Sequence, residues 1–307
     1  MFDLLFALAL APAVSTLMND APCWIEDAVS AGGSAWLLCD RDHVLNSRDG
    51  GKTWRSMRLP VSGRLRAIAF AGPAKGFIAG DNGLLLVSED GGANWREIEA
   101  PVKEHFRAIT FAGDSGWIAG YGGTILHSAD AGRTWSRQPI APSISLESIF
   151  FRDGNNGWAV GWNGAILRTT DGGRNWRQVK SPAAQWTLSS VYFRDANNGW
   201  AVGMSGHLLR SRDGGLTWEQ QEAPSRSWFT SVFFDALGRG WITADTGILV
   251  SEDGGDTWRP SNAGEWFFLE RVLPVGASLW AVGPFGVLQT DGREAAWRKL
   301  ETWQGSS

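Results

Sequence analysis

Along the whole chain, apolar residues come in runs of 4 to 7 broken by clusters of Gly, Asn and Asp, as in FRDGNNGWAVGWNGAILRTTDGGRNWRQV from Phe151. Runs of this length are too short for stable helices and normal for strands, and the separators are turn formers. Four strands are predicted in the stretch ending at Trp176: LESIFF from Leu146, GWAVG from Gly157, AILRTT from Ala165 and NWRQV from Asn175. The pattern then repeats. An Asp-Gly turn and a Trp recur seven times at intervals of 39 to 42 residues: SRDGGKTW ending at Trp54, SEDGGANW at Trp95, SADAGRTW at Trp135, TTDGGRNW at Trp176, SRDGGLTW at Trp218, SEDGGDTW at Trp258 and the degenerate TDGREAAW at Trp297. A fixed period of this length means a propeller or a solenoid, because one such unit cannot bury its faces alone. A solenoid needs capping units, and none is evident. The expected fold is therefore all-β, a seven-bladed β-propeller with four-stranded antiparallel blades and Asp-box turns, spanning residues 21–303.

The Asp box has a structural chemistry. Its Asp accepts hydrogen bonds from backbone N–H groups within the turn between third and fourth strands, Gly supplies positive φ, and Ser or Thr closes the loop. The Trp that follows packs over the blade. This reading sets calcium binding and catalysis by the box Asp residues aside.

Accounting for the 19 Trp residues separates scaffold from candidate surface. Seven close the boxes, and Trp36, Trp117, Trp158, Trp200, Trp241 and Trp280 hold one equivalent second-strand position, where the second blade has Phe77. Trp24, Trp162, Trp186, Trp228, Trp266 and Trp303 are left over. In an up-and-down blade, the loop after strand two and the connection to the next blade emerge on one face. That places Trp162, Trp186, Trp228 and Trp266 together, with Tyr121 and Phe285 in loops equivalent to that of Trp162 and with Phe106 and Phe267 flanking the blade connections. An aromatic rim of this kind is expected to bind a partner; the alternative is that the rings fold over the funnel mouth. Arg64, Arg66, Lys103, His105 and Arg107 lie in the connections leading into blades 2 and 3, whereas Glu147, Glu265 and Glu270 hold equivalent places elsewhere. A cationic sector beside aromatic rings suits an acidic protein segment, with a solvated rim as the plainer reading.

Lys and Arg number 28 against 32 Asp and Glu, a net charge of −4, which argues against nucleic-acid binding by counterion release. Residues 1–20 read as a hydrophobic leader: an apolar run from Leu4 to Leu10 precedes Ala11, Ala13 and Ser15, as in a secretory signal, although no Lys or Arg occurs before Arg41. An N-terminal strand packed on the closing blade is the alternative. Residues 304–307 form a short tail. Cys23 and Cys39 flank the SAGGSA turn symmetrically, so a cross-strand disulfide and two buried thiols both fit. No cofactor or metal set is evident, and the four His residues are scattered singly.

The repeat seen best at residues 157–176 and 199–218, GWAVGxxGxILRTxDGGxxW, resembles the photosystem II stability and assembly factor family of Asp-box (BNR-type) propellers. The resemblance covers residues 23–303. It implies a non-enzymatic, protein-binding factor of the thylakoid lumen or periplasm that assists assembly of a membrane-protein complex and reaches the membrane through that partner or its leader. Photosynthetic members share an arginine-rich patch, to which only the sector near Arg64, Arg66 and Arg107 corresponds here. Asp boxes also occur in sialidases and xyloglucanases, which leaves a carbohydrate-binding or glycoside-hydrolase-like propeller as the alternative. A sialidase needs an arginine triad and a Tyr paired with Glu on six blades. A glycosidase needs two carboxyls at defined separation, and no convincing pair is present: Asp245 and Glu270 both reach the rim, but such a pair arises easily by chance.

Overall fold

The computed structural model describes residues 24–140, 144–261, 263, 268–291 and 296–300. The leader at 1–20, Cys23, Trp266, Phe267 and the tail at 304–307 lie outside the described residues. Within them, 28 strands form seven four-stranded antiparallel sheets, each made of four consecutive strands. The blades span 25–58, 65–97, 106–137, 146–179, 188–220, 229–260 and 271–299. The first strand of each blade packs beside the first strands of its two neighbours, and blade 7 packs against blade 1. The seven sheets thus close into one ring with no strand exchanged between them.

Strand limits follow local chemistry. In blade 4 the third strand is Ile166–Thr169 and the fourth Arg177–Val179, both shorter than the apolar pattern predicts. Ala165 is held in a turn by its N–H bond to Trp162 O (3.0 Å), and Asn175 N–H donates to Asp171 inside the box (2.9 Å), so neither joins the ladder. In blade 1 the first two strands meet at a two-residue turn, Gly32-Gly33, with φ of 58° and 78°. That conformation is open to glycine and matches strand twist in a tight hairpin.

The box turns are built as their sequence predicts. Asp49 accepts from Ser47 Oγ (2.9 Å), Thr53 N (2.9 Å) and Thr53 Oγ1 (2.6 Å), while Ser47 Oγ accepts from Gly51 N (2.8 Å). The same set of bonds recurs around Asp90, Asp130, Asp171, Asp213 and Asp253. These donors stabilise the ionised carboxylate; hydrogen bonds from Thr53 and Asn94 hold Asp49 and Asp90 at about 2.

The core lies between blades rather than at the centre of the molecule. Seven buried clusters each join two adjacent blades; the one between blades 7 and 1 combines Leu273, Trp280 and Val282 with Ile25, Leu37 and Leu45. Five of the seven interfaces, from blade 1–2 to blade 5–6, are organised by an aromatic triad. Trp158 of blade 4 stacks on Phe193 of blade 5 with centroids 3.6 Å apart, and Phe193 meets the box Trp218 edge-on at 5.7 Å. Trp117 with Phe151 and Trp176, and Trp200 with Phe234 and Trp258, repeat it. The second-strand ring also lies against the next blade's box. Trp158 Nε1 donates to Gly214 O (3.1 Å), Trp117 Nε1 to Gly172 O (3.0 Å), and Trp36 covers Gly92. A Cβ on Gly92 would sit 2.3 Å from the Trp36 ring, at a φ of +85°.

Gly92 is therefore held by both backbone and neighbour, whereas Gly50, at φ +73°, has open space around it. Gly50→Ala is expected to cost about 1 kcal/mol for the left-handed backbone. Gly92→Ala adds overpacking and is expected to cost about 2–4 kcal/mol. Urea unfolding midpoints of the two variants check the difference, and equal midpoints would contradict the inter-blade contact.

Candidate functional site

The first strands stand around the axis, and one ring is formed by their second residues in blades 1 to 6, Glu26, Arg66, Arg107, Glu147, Ser189 and Thr230, together with Glu270, which directly precedes the blade 7 strand Arg271–Val275. The residue before each, from Ile25 to Leu269, is buried in the inter-blade core, which turns the next side chain toward the axis. In blade 7 both Leu269 and Glu270 precede the short strand, which begins at Arg271. All seven ring residues line a central cavity of about 690 Å³.

Above this ring sits a collar made by the loops between strands two and three. In six blades the first loop residue donates its N–H to the carbonyl just before the first strand: Asp40 to Trp24, Asp81 to Arg64, Tyr121 to His105, Trp162 to Ser145, Met204 to Thr187 and Asp245 to Trp228, at 2.9–3.1 Å. The loop then turns through a left-handed residue, Asn163 in blade 4 at φ 54°. Gly164 N–H next donates to Trp186 O (2.7 Å), tying the loop to the following blade connection. A side chain at Gly164 would meet Ala183 O at 2.3 Å.

The sequence-predicted site residues fall as follows. Trp162, Trp186 and Trp228 are 44 %, 42 % and 42 % exposed on this face, and Trp24, which the sequence reading left aside, joins them at 41 %. These four are the exposed indoles among the described residues, and all flank the funnel; the exposed Leu216 and Leu237 belong to turns of the opposite face. Trp162 Nε1 donates to Glu147 (2.6 Å), Trp228 Nε1 donates to Ser189 Oγ (2.8 Å), and Trp186 lies beside His207. Tyr121 meets Trp162 edge-on at 5.3 Å and lies under the Arg107 guanidinium. Phe106 is buried beneath the face. Phe285 is buried as well, because blade 7 joins its second and third strands by a two-residue turn, 284–285, that lacks the projecting loop.

The cationic sector is neutralised by carboxylates. Arg66 pairs with Asp81 through two bonds of 3.0 Å and with Glu26 at 3.3 Å; Arg64 reaches Glu26 at 3.0 Å; His105 lies 3.3 Å from Asp81; and Arg107 pairs with Glu147 at 2.8 Å. Lys103 is exposed at its edge. Burial alone would lower the Arg66 pKa, but Asp81 and Glu26 raise it. The partners come from other elements: Glu26 from blade 1, Asp81 from a loop and Glu147 from blade 4. Tyr121 is pushed up by burial and then by the charge of Glu147, opposite to the direction a nucleophile requires.

Two further carboxyls shape the funnel. Asp27, 4 % exposed, accepts from Ala28 N (2.8 Å) and Ile68 N (2.9 Å) and pairs with Arg271, linking blades 1, 2 and 7. Glu270 has no side-chain partner among the described residues, and burial followed by the charge of Glu26 pushes it up to about 7. Asp245 is also raised by burial. Cys39, buried at the end of the second strand, is disulfide-bonded.

Fold and site together define an Asp-box propeller with an aromatic, charge-patterned funnel at one face. The family model described as photosynthesis system II assembly factor YCF48 matches residues 46–147 and 174–265, and the chain belongs to that family. A search of the curated proteins finds no match. Among solved structures, one described as YCF48 bound to D1 peptide is 22 % identical, with a TM-score of 0.64 over 81 % of this chain and 85 % of that one. YCF48 from Cyanidioschyzon merolae is 23 % identical, with a TM-score of 0.65 over 80 % and 88 %. Virginiamycin B lyase from Staphylococcus aureus, with Quinupristin, is 13 % identical, with a TM-score of 0.74 over 87 % and 94 %. These structural likenesses establish the ring, which non-enzymes and enzymes share.

A carboxyl whose pKa is raised by folding opposes the native state once pH rises above its unfolded value. Stability is therefore lost between about pH 4.5 and pH 7 as Glu270 ionises. Glu270→Gln is expected to stabilise the protein by about 1–3 kcal/mol at pH 8 and by little at pH 5. Thermal unfolding at both values checks it.

Proposed function

We propose that this protein is a non-enzymatic assembly factor that holds a segment of a membrane-protein subunit on its funnel face. The observation that carries the reading is the gathering of Trp24, Trp162, Trp186 and Trp228, the exposed indoles of the described residues, on one face, where Trp162 and Trp228 line the central cavity. Exposed aromatic surface of this extent suits burial against a partner, and Trp is the residue most enriched at binding hot spots. Family membership supports an assembly role, and the D1 peptide carried by a solved relative supports an extended protein segment as ligand.

Chemistry in the funnel favours binding over hydrolysis. A glycosidase needs two carboxyls facing one bond at a defined separation, and of Asp245 and Glu270 only Glu270 lines the cavity. The only funnel tyrosine paired with a carboxylate, Tyr121, is held in its neutral form. Export to a lumenal or periplasmic compartment is part of this proposal; it rests on the leader-like residues 1–20 and is supported by the disulfide at Cys39, which suits an oxidising environment.

Overlapping synthetic peptides that tile a D1 protein provide the test. The variant Trp162→Ala/Trp186→Ala/Trp228→Ala removes exposed rings, each making at most one side-chain hydrogen bond, and is expected to keep its unfolding midpoint. Affinity for the tightest peptide should fall about 30-fold or more. Undiminished binding by the folded variant would remove this face from consideration.

A further inference from the structure

Seven charged side chains of the funnel are engaged with one another, one trio and two pairs, and an eighth is left over. Arg66 is held by Glu26 and Asp81, Arg107 by Glu147, and Arg271 by Asp27. Glu270 is enclosed at the junction of blades 6, 7 and 1, and lines the cavity without a hydrogen-bond or ion-pair partner among the described residues. Its ring neighbours are the uncharged Thr230 on one side and Glu26 on the other, with Asp27 one residue further along. An enclosed carboxyl with no counter-charge is destabilising unless something supplies that charge.

Three features indicate what would supply it. The charged groups acting on Glu270 are Glu26, Arg107 and Asp27, two of the three negative, so the slot attracts a cation. No group of three or more His, Cys, Asp or Glu among the described residues is arranged to hold a metal ion, which favours an organic cation on a flexible stem. Tyr121, Trp162 and Trp228 line the same cavity, where aromatic faces accommodate both an aliphatic stem and a cationic head.

We infer that Glu270 forms the floor of a slot that receives a lysine or arginine side chain from the protein segment docked on the funnel face. The inference rests on the docking reading above and deepens it, because it makes the recognised segment basic at one position although the arginines nearby suggest an acidic ligand. Those arginines are already spent on Glu26, Asp81 and Glu147. An incoming ammonium or guanidinium would find in Glu270 the one funnel carboxyl not engaged by the protein itself. Capture of a cation draws Glu270 into its ionised form, so binding strengthens as pH rises through the carboxyl's titration. The charged groups bearing on that titration are Glu26 and Asp27 of blade 1, Arg271 next in sequence, Arg107 across the funnel and Asp245 of blade 6.

The test uses the full chain and matched synthetic peptides with a central Lys, Arg, norleucine or Glu between identical Trp- and Ser-containing flanks. Binding is read from the indole N–H signals of Trp162 and Trp228 by NMR. The Lys and Arg peptides are expected to bind about tenfold more tightly than the norleucine peptide at pH 8, with the preference shrinking severalfold at pH 6. Glu270→Gln, checked to be folded by its thermal unfolding, is expected to abolish both the preference and its pH dependence. Equal binding of Lys and norleucine peptides, or a preference that survives Glu270→Gln, overturns the inference. If D1 peptides fail to bind while the cation preference holds, the docking reading falls and the slot stands; if D1 peptides bind without any such preference, the slot falls and the docking reading stands.

Discussion

The ring depends on one contact made over and over: a second-strand indole stacked on its neighbour's first-strand Phe and laid against a glycine of its neighbour's box. Trp158 shows every part of it, with Phe193 3.6 Å away, Trp218 edge-on behind, and its Nε1 donating to Gly214 O. A blade whose box keeps its second glycine supplies a ring to the next blade and a glycine to the previous one, so the interface is directional. Aromatic pairs contribute about 0.5–1.5 kcal/mol each beyond their buried area. Blade 7 meets blade 1 through Trp280 against Trp54 and Gly51, with no Phe in the blade 1 first strand. Asp27 adds a polar tie there, joining blades 7, 1 and 2 through Arg271 and Ile68 N.

Closure has a functional consequence. Because every first strand begins on the same face, whatever occupies its second position is delivered to one circle, and whatever occupies the blade connections is delivered to its rim. A charge pattern that is meaningless along the chain becomes a pattern around a funnel. Glu26 and Arg66 are about 40 residues apart in sequence and 3.3 Å apart in space. The scaffold does not require any particular residue there, as Ser189 and Thr230 occupy the same ring as Arg107 and Glu270. Function is therefore free to vary on a fixed frame.

How much of this the sequence carried depended on whether the signal was local. The Asp box is a turn of seven or eight residues with all its donors inside it, so Ser47, Asp49, Gly51 and Thr53 announce the structure by themselves. Thirteen scaffold indoles and rings were legible because they recur in phase. The common face of Trp162, Trp186 and Trp228 followed from strand parity alone. Trp24 was missed because it precedes the first strand and has no repeat before it to give it a phase. The basic sector was legible only in half: Arg66 and Arg107 hold equivalent places at the starts of consecutive blades, with Arg64 beside Arg66, but Glu26, Asp81 and Glu147 arrive from a neighbouring blade or loop, and their pairing appears only once the ring closes. Aligning the seven first strands by their second residue was the available signal for that ring. Phe285 followed the repeat in sequence but not in space, since its loop has shrunk to two residues.

The central claim is that a partner segment lies across the funnel face, over the indoles that closure gathers there. Hydroxyl-radical footprinting with and without a bound D1 peptide tests it most directly. Protection is expected at Trp24, Trp162, Trp186 and Trp228, with Leu216 and Leu237 of the opposite face unchanged. Protection confined to Leu216, Leu237 and the box turns, with the four indoles as reactive as in the free protein, would contradict the account.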